Sequence, residues 1–80
     1  MVKEYKFPCY PGDKVWFLEG YSGKVYYMQS DYVEMVGFTS RSIRIKLRNH
    51  KSFGKTYTWG KNVFATEEEC RSVFEKVKAI

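Results

Sequence analysis

The sequence predicts a mostly β domain finished by a single C-terminal helix, and three observations carry that prediction. Aromatic residues make up 19% of the 80 positions, with seven Tyr, six Phe and two Trp, and flat rings pack well on a pleated sheet. Short runs rich in β-branched and aromatic residues recur between glycine-containing turns up to Gly60, as in small antiparallel sheets. Beyond Thr66 the apolar spacing changes from period two to helical period. A chain of 9.5 kDa holds one domain, residues 1–80. Such a chain buries only about 60% of the surface its unfolded form exposes. Composition excludes a collagen-like repeat, a coiled coil and a disulfide-dense scaffold.

The elements follow in order. Tyr10-Pro11-Gly12-Asp13 reads as a type II turn, with Pro presetting φ at its second position and Gly supplying positive φ at its third. Lys14–Glu19 is a strand with both faces partly covered, and Gly20-Tyr21-Ser22-Gly23 a hairpin turn. Lys24–Gln29 is the second strand. Tyr32–Phe38 is its bent continuation or a separate strand, with a helix as the minor alternative, and Gly37 is the candidate bulge. Ser42–Arg48 alternates three aliphatics with three cations, so one face enters a core and the other carries only positive charge. Asn49–Gly54 is turn material, and Lys55–Trp59 returns as a strand. Thr66 followed by Glu69 is a capping-box pair, and Glu67, Glu68 and Glu69 suit the positive end of a helix dipole. Cys70, Val73, Phe74 and Val77 then form one apolar stripe, which predicts a helix over about 67–79.

Four or five short strands and one terminal amphipathic helix predict a small, strongly bent antiparallel sheet of SH3-like barrel type. The alternative is an α+β sheet plus helix. Two passages carry a resemblance. PGDKVWFL followed by GKVYY resembles the opening of small SH3-like proteins. GKNVFATEEEC, residues 60–70, resembles a closing motif, roughly G-K-x-VF-x-T-x-EE-A, of small uncharacterised proteins of Gram-positive bacteria, their phages and mobile elements, with Cys70 replacing the small residue. The resemblance implies a fold and a mobile-element setting, carries no catalytic residues, and keeps an inhibitor of host defence proteins in view.

Catalytic constellations are scarce, and an enzyme is the least favoured class. His50 is the only histidine. It reads as a solvated loop residue rather than half of a dyad with Cys9 or Cys70. Cys9 and Cys70 match no zinc spacing, and no phosphate-binding glycine loop or cofactor motif is present. The expectation is therefore no metal, no cofactor and no small-molecule substrate. The N-terminus MVKEYKFPCYPGDK has no apolar run, so it reads as neither signal peptide nor membrane anchor. The expected setting is cytoplasmic, with both thiols reduced and a Cys9–Cys70 disulfide as the minor alternative.

Charge is more informative. Residues 35–66 contain Arg41, Arg44, Lys46, Arg48, Lys51, Lys55 and Lys61 and no acid, while the flanking segments are each net −1. On a strand, Arg44, Lys46 and Arg48 stand about 7 Å apart, twice the strand rise, a spacing comparable to that of phosphates along one nucleic-acid strand. Cations on an edge strand also discourage sheet-to-sheet aggregation, but seven bases without an acid exceed that need. Phe53 and Trp59 lie among these bases as candidate stacking rings. Tyr57 and Trp59 share a strand face, which suits a core more than a platform. The sequence thus predicts a non-enzymatic module binding nucleic acid, or a nucleoprotein, through a basic hairpin. The alternative is an inhibitor or adaptor that binds a host protein, with Tyr21, Tyr26 and Trp16 as anchors and no mimicry of DNA, given the net charge of +5. An acidic protein surface is the other partner this charge suits, and a homodimer through open strand edges is a further possibility.

Overall fold

A computed structural model describes residues 7–50 and 54–78. Five antiparallel strands form one curled sheet: β1 (Lys14–Tyr21), β2 (Lys24–Phe38), β3 (Ile43–Leu47), β4 (Tyr57–Thr58) and β5 (Val63–Phe64). Their order is β4-β3-β2-β1-β5, and helix α1 (Glu67–Val77) follows. This is a half-barrel with one C-terminal helix, compatible with a small SH3-like barrel.

The opening turn forms as predicted: Gly12 has φ +96°, and the Asp13 amide donates to the Tyr10 carbonyl at 3.0 Å. The β1–β2 hairpin closes through Ser22 and Gly23, with φ of 57° and 75°, the paired positive φ that suits the twist of a two-residue hairpin. At Gly20 the register slips, and a Cβ there would lie 1.7 Å from the Lys24 carbonyl oxygen, so this close approach requires glycine.

β2 is one continuous strand of 15 residues, not two strands and not a helix. Its first part, Lys24–Tyr32, pairs with β1, and its second part, Val33–Phe38, pairs with β3. The predicted bulge at Gly37 is corrected, because Gly37 pairs regularly with Arg44 and the register shift lies between Val33 and Met35. The extra residue falls where the strand leaves one partner for the other, which is where it must bend.

Two apolar clusters hold the sheet. Val15, Phe17, Val33, Ile45, Leu47 and Tyr57 fill the concave side together with Cys9 and Val63. Full burial of a side chain such as Phe17 or Ile45 stabilises by about 1.5–3 kcal/mol. On the opposite face Leu18, Phe64 and Cys70 are buried, with Trp16, Val73 and Phe74 packed against them. Both faces of β1 are therefore covered, and α1 covers the outer one. Thr66 caps the helix, accepting from the Glu69 amide at 3.2 Å and donating to the Glu69 carboxylate at 3.1 Å. The helix ends at Val77, two residues before the predicted end, because Lys78 turns extended and bridges to Val25. Cys9 and Cys70 are free and belong to different clusters. Burial pushes each thiol up to about 11.

Candidate nucleic-acid interface

Ile45 and Leu47 are buried while Ile43 packs on the same cluster, so strand alternation turns Arg44 and Lys46 to the convex face. The Arg48 amide donates to the Tyr32 carbonyl at 2.8 Å, extending the pairing one residue past β3 and keeping Arg48 in the row. Its guanidinium lies 5.4 Å from the centre of the exposed Tyr32 ring, a cation–π contact. Lys46 pairs across the sheet with Met35, whose side chain is 57% exposed.

Arg44 is braced by its neighbour strand. Its Nε and Nη2 donate to Thr56 Oγ1 at 3.1 and 2.9 Å, and Nη1 donates to Thr58 Oγ1 at 2.5 Å. These acceptors are neutral, so they fix the guanidinium without neutralising it. Among the described residues no carboxylate pairs with Arg41, Arg44, Lys46 or Arg48. Arg41 is exposed in the β2–β3 turn, where its amide donates to Thr39 Oγ1 at 3.3 Å.

The other predicted site residues part company with this row. Lys55 pairs with Glu19 Oε1, while the Tyr57 hydroxyl donates to Glu19 Oε2 at 2.5 Å. Burial works to raise the Glu19 pKa, but hydrogen bonds from Lys55, Tyr57 and the Gly20 amide hold it below the usual range. Burial and the Glu19 charge push the Tyr57 phenol well up. Lys61 stands exposed in the β4–β5 turn, lining a groove toward α1. Trp59 is half-buried, with part of its ring packed against the concave cluster. Trp16, expected as an exposed anchor, is instead half-buried against the outer cluster of Leu18, Phe64 and Cys70. Tyr26 is exposed. Lys51, Phe53 and the Tyr21 side chain lie outside the described residues.

His50 is not a solvated loop residue, and neither cysteine is its partner. Its Nδ1 meets Asp31 Oδ2 at 2.6 Å and its ring lies 4.6 Å from that of Phe17. Asp31 is 3% exposed and also accepts from the Tyr32 amide at 2.6 Å, the Asn49 amide at 2.9 Å and Asn49 Nδ2 at 2.8 Å. Burial works to raise its pKa, but these donors, His50 foremost, hold it low. Asp31 therefore ties the segment after β3 to β2. One signal was available in the sequence: Asp31 has the same strand parity as Val33, and a carboxylate on a core-facing position needs donors.

Among the described residues no group of three or more His, Cys, Asp or Glu side chains is placed to hold a metal, and no helix is long and apolar enough to cross a membrane. Comparison of the chain with protein-family models, curated proteins and solved structures returns no match.

Proposed function

We propose that this chain is a non-enzymatic module that binds a nucleic-acid backbone across the convex face of β3. The observation that carries this reading is the row of Arg44, Lys46 and Arg48, without carboxylate partners among the described residues, one guanidinium braced by threonine hydroxyls and another laid over an exposed tyrosine. A braced cation loses little freedom on meeting a phosphate, and Tyr32 offers a ring beside the track. Contacts of this kind follow the backbone and carry no base code. The resemblance of residues 60–70 to small proteins of phages and mobile elements is the proposed setting.

The test is fluorescence anisotropy with labelled single- and double-stranded DNA and RNA across a salt series. Binding that weakens steeply with salt is expected, with a slope set by the phosphates neutralised. Reversal of Arg44, Lys46 and Arg48 to Glu should abolish it while circular dichroism stays unchanged. Wild-type binding by the reversed protein would refute the assignment. The exposed Tyr32 and Met35 beside the same cations also fit an acidic protein surface. Absence of nucleic-acid binding even at low salt would favour that reading, in which the chain is an inhibitor or adaptor.

A further inference from the structure

A second surface is built by different elements. A groove of about 540 Å³ runs between the β1–β2 hairpin, the β4–β5 turn and α1, within the size range of specific ligand sites. Aliphatic side chains line it: Leu18 from β1, Val25 from β2, and Val73 and Val77 from α1. Val77 is 46% exposed, although it continues the apolar stripe whose other members pack against the sheet. Lys24, on the hairpin, and Lys61, in the β4–β5 turn, also line it.

Among the described residues neither of these ammonium groups has a carboxylate partner. Among the described residues the lining holds one carboxylate, Glu19, and Lys55 and Tyr57 already engage both of its oxygens. The groove therefore offers positive charge from two different turns beside an aliphatic lining. A base would need a ring to stack on, and among the described residues the one ring in the lining, Tyr57, is 1% exposed.

We propose that this groove binds a short acidic segment of a protein partner, in which carboxylates on both sides of an aliphatic residue meet Lys24 and Lys61 while that residue seats against Val25, Val73 and Val77. The surface is distinct from the convex face of β3, so the two readings stand or fall separately.

The experiment selects a display library of random heptapeptides on the whole chain, then measures the enriched peptide by fluorescence anisotropy. Enriched sequences should place Asp or Glu on both sides of Leu, Ile or Val. Joint substitution Lys24→Glu and Lys61→Glu should weaken binding tenfold or more. Lys24→Gln with Lys61→Gln, which removes the charge and keeps a polar side chain, should do so less severely. Val73→Ser with Val77→Ser should weaken it at least fivefold, whereas Lys46→Glu with Arg48→Glu should leave it unchanged. The proposal is overturned if selection yields aromatic or basic peptides or none. It is equally overturned if affinity stays within twofold in both lysine double variants, or if a single-stranded oligonucleotide displaces the peptide.

Discussion

Replacing Asp31 with Ala should remove a large share of the protein's stability. The carboxylate accepts four hydrogen bonds of 2.6–2.9 Å, from the Tyr32 amide, the Asn49 amide, Asn49 Nδ2 and His50 Nδ1, at a residue only 3% exposed. A hydrogen bond to a charged group contributes about 1.5–3 kcal/mol, but these four share one acceptor group and some donors regain water. A loss of about 3–5 kcal/mol is therefore expected. Whole-domain stability at this length is of order 4–12 kcal/mol, so the variant sits near the edge of folding. Its midpoint temperature should fall by at least about 12 °C. Urea unfolding at pH 7, followed by Trp16 and Trp59 fluorescence, reads the change directly. A loss below about 1 kcal/mol would refute the account of Asp31 as the tie between β2 and the segment after β3.

The same carboxylate sets a pH dependence whose sign follows from its lowered folded-state pKa. Its contribution is fully present above the unfolded value of about 4 and is lost as pH falls through the lower folded value. The wild type should therefore lose stability on acidification below about pH 4. Asp31→Asn should flatten that profile, leaving the part that comes from Glu19, whose pKa is also lowered. An unchanged acid profile in Asp31→Asn would contradict the assignment.

Tyr57→Phe removes the hydroxyl that donates to Glu19 at 2.5 Å and should cost about 1.5 kcal/mol, since Lys55 still holds the carboxylate; equal urea midpoints would refute it. Gly20→Ala forces a Cβ against the Lys24 carbonyl, 1.7 Å away, and should cost about 3 kcal/mol or more through displacement of the hairpin. An NMR amide spectrum with unshifted β1–β2 signals would show that the hairpin does not sit as described. Cys9 and Cys70, buried with thiols raised to about 11, hold roughly one part in a thousand thiolate at pH 8. Their reaction with a disulfide reagent should be slow until urea unfolds the chain, and rapid native labelling of both would place them at the surface instead.

Local features were legible in the sequence because local chemistry produces them. The Thr66 cap, the Gly12 turn and the alternation of Ile43, Ile45 and Leu47 with Arg44 and Lys46 each need only neighbouring residues to be understood. The path of β2 was not legible: Gly37 looked like the natural weak point, yet the bend follows the change of partner from β1 to β3, and that partner change belongs to the topology. Trp16 shows the same limit, since strand parity places it outside the concave core and only the docking of α1 turns that outer face into a second interior.

The acid-free stretch from 35 to 66 shows why a charge run in sequence is a poor map of a charged surface. Its cations meet different fates in the fold. Lys55 meets Glu19, 36 positions earlier, and so adds little positive field. Lys61 turns toward the α1 groove, where it joins Lys24 from the less basic first segment. Arg44, Lys46 and Arg48 remain together because a single strand orders them, and Thr58 in β4 and Thr56 just before it hold the first of them. Burial and hydrogen bonding across long sequence separations therefore divide one basic segment into a neutralised tie, half of a peptide-sized groove and a three-residue row. The row is the arrangement proposed to follow a phosphate backbone, so the triple reversal on β3 and the double substitution at Lys24 and Lys61 must act on different partners if both surfaces function as argued.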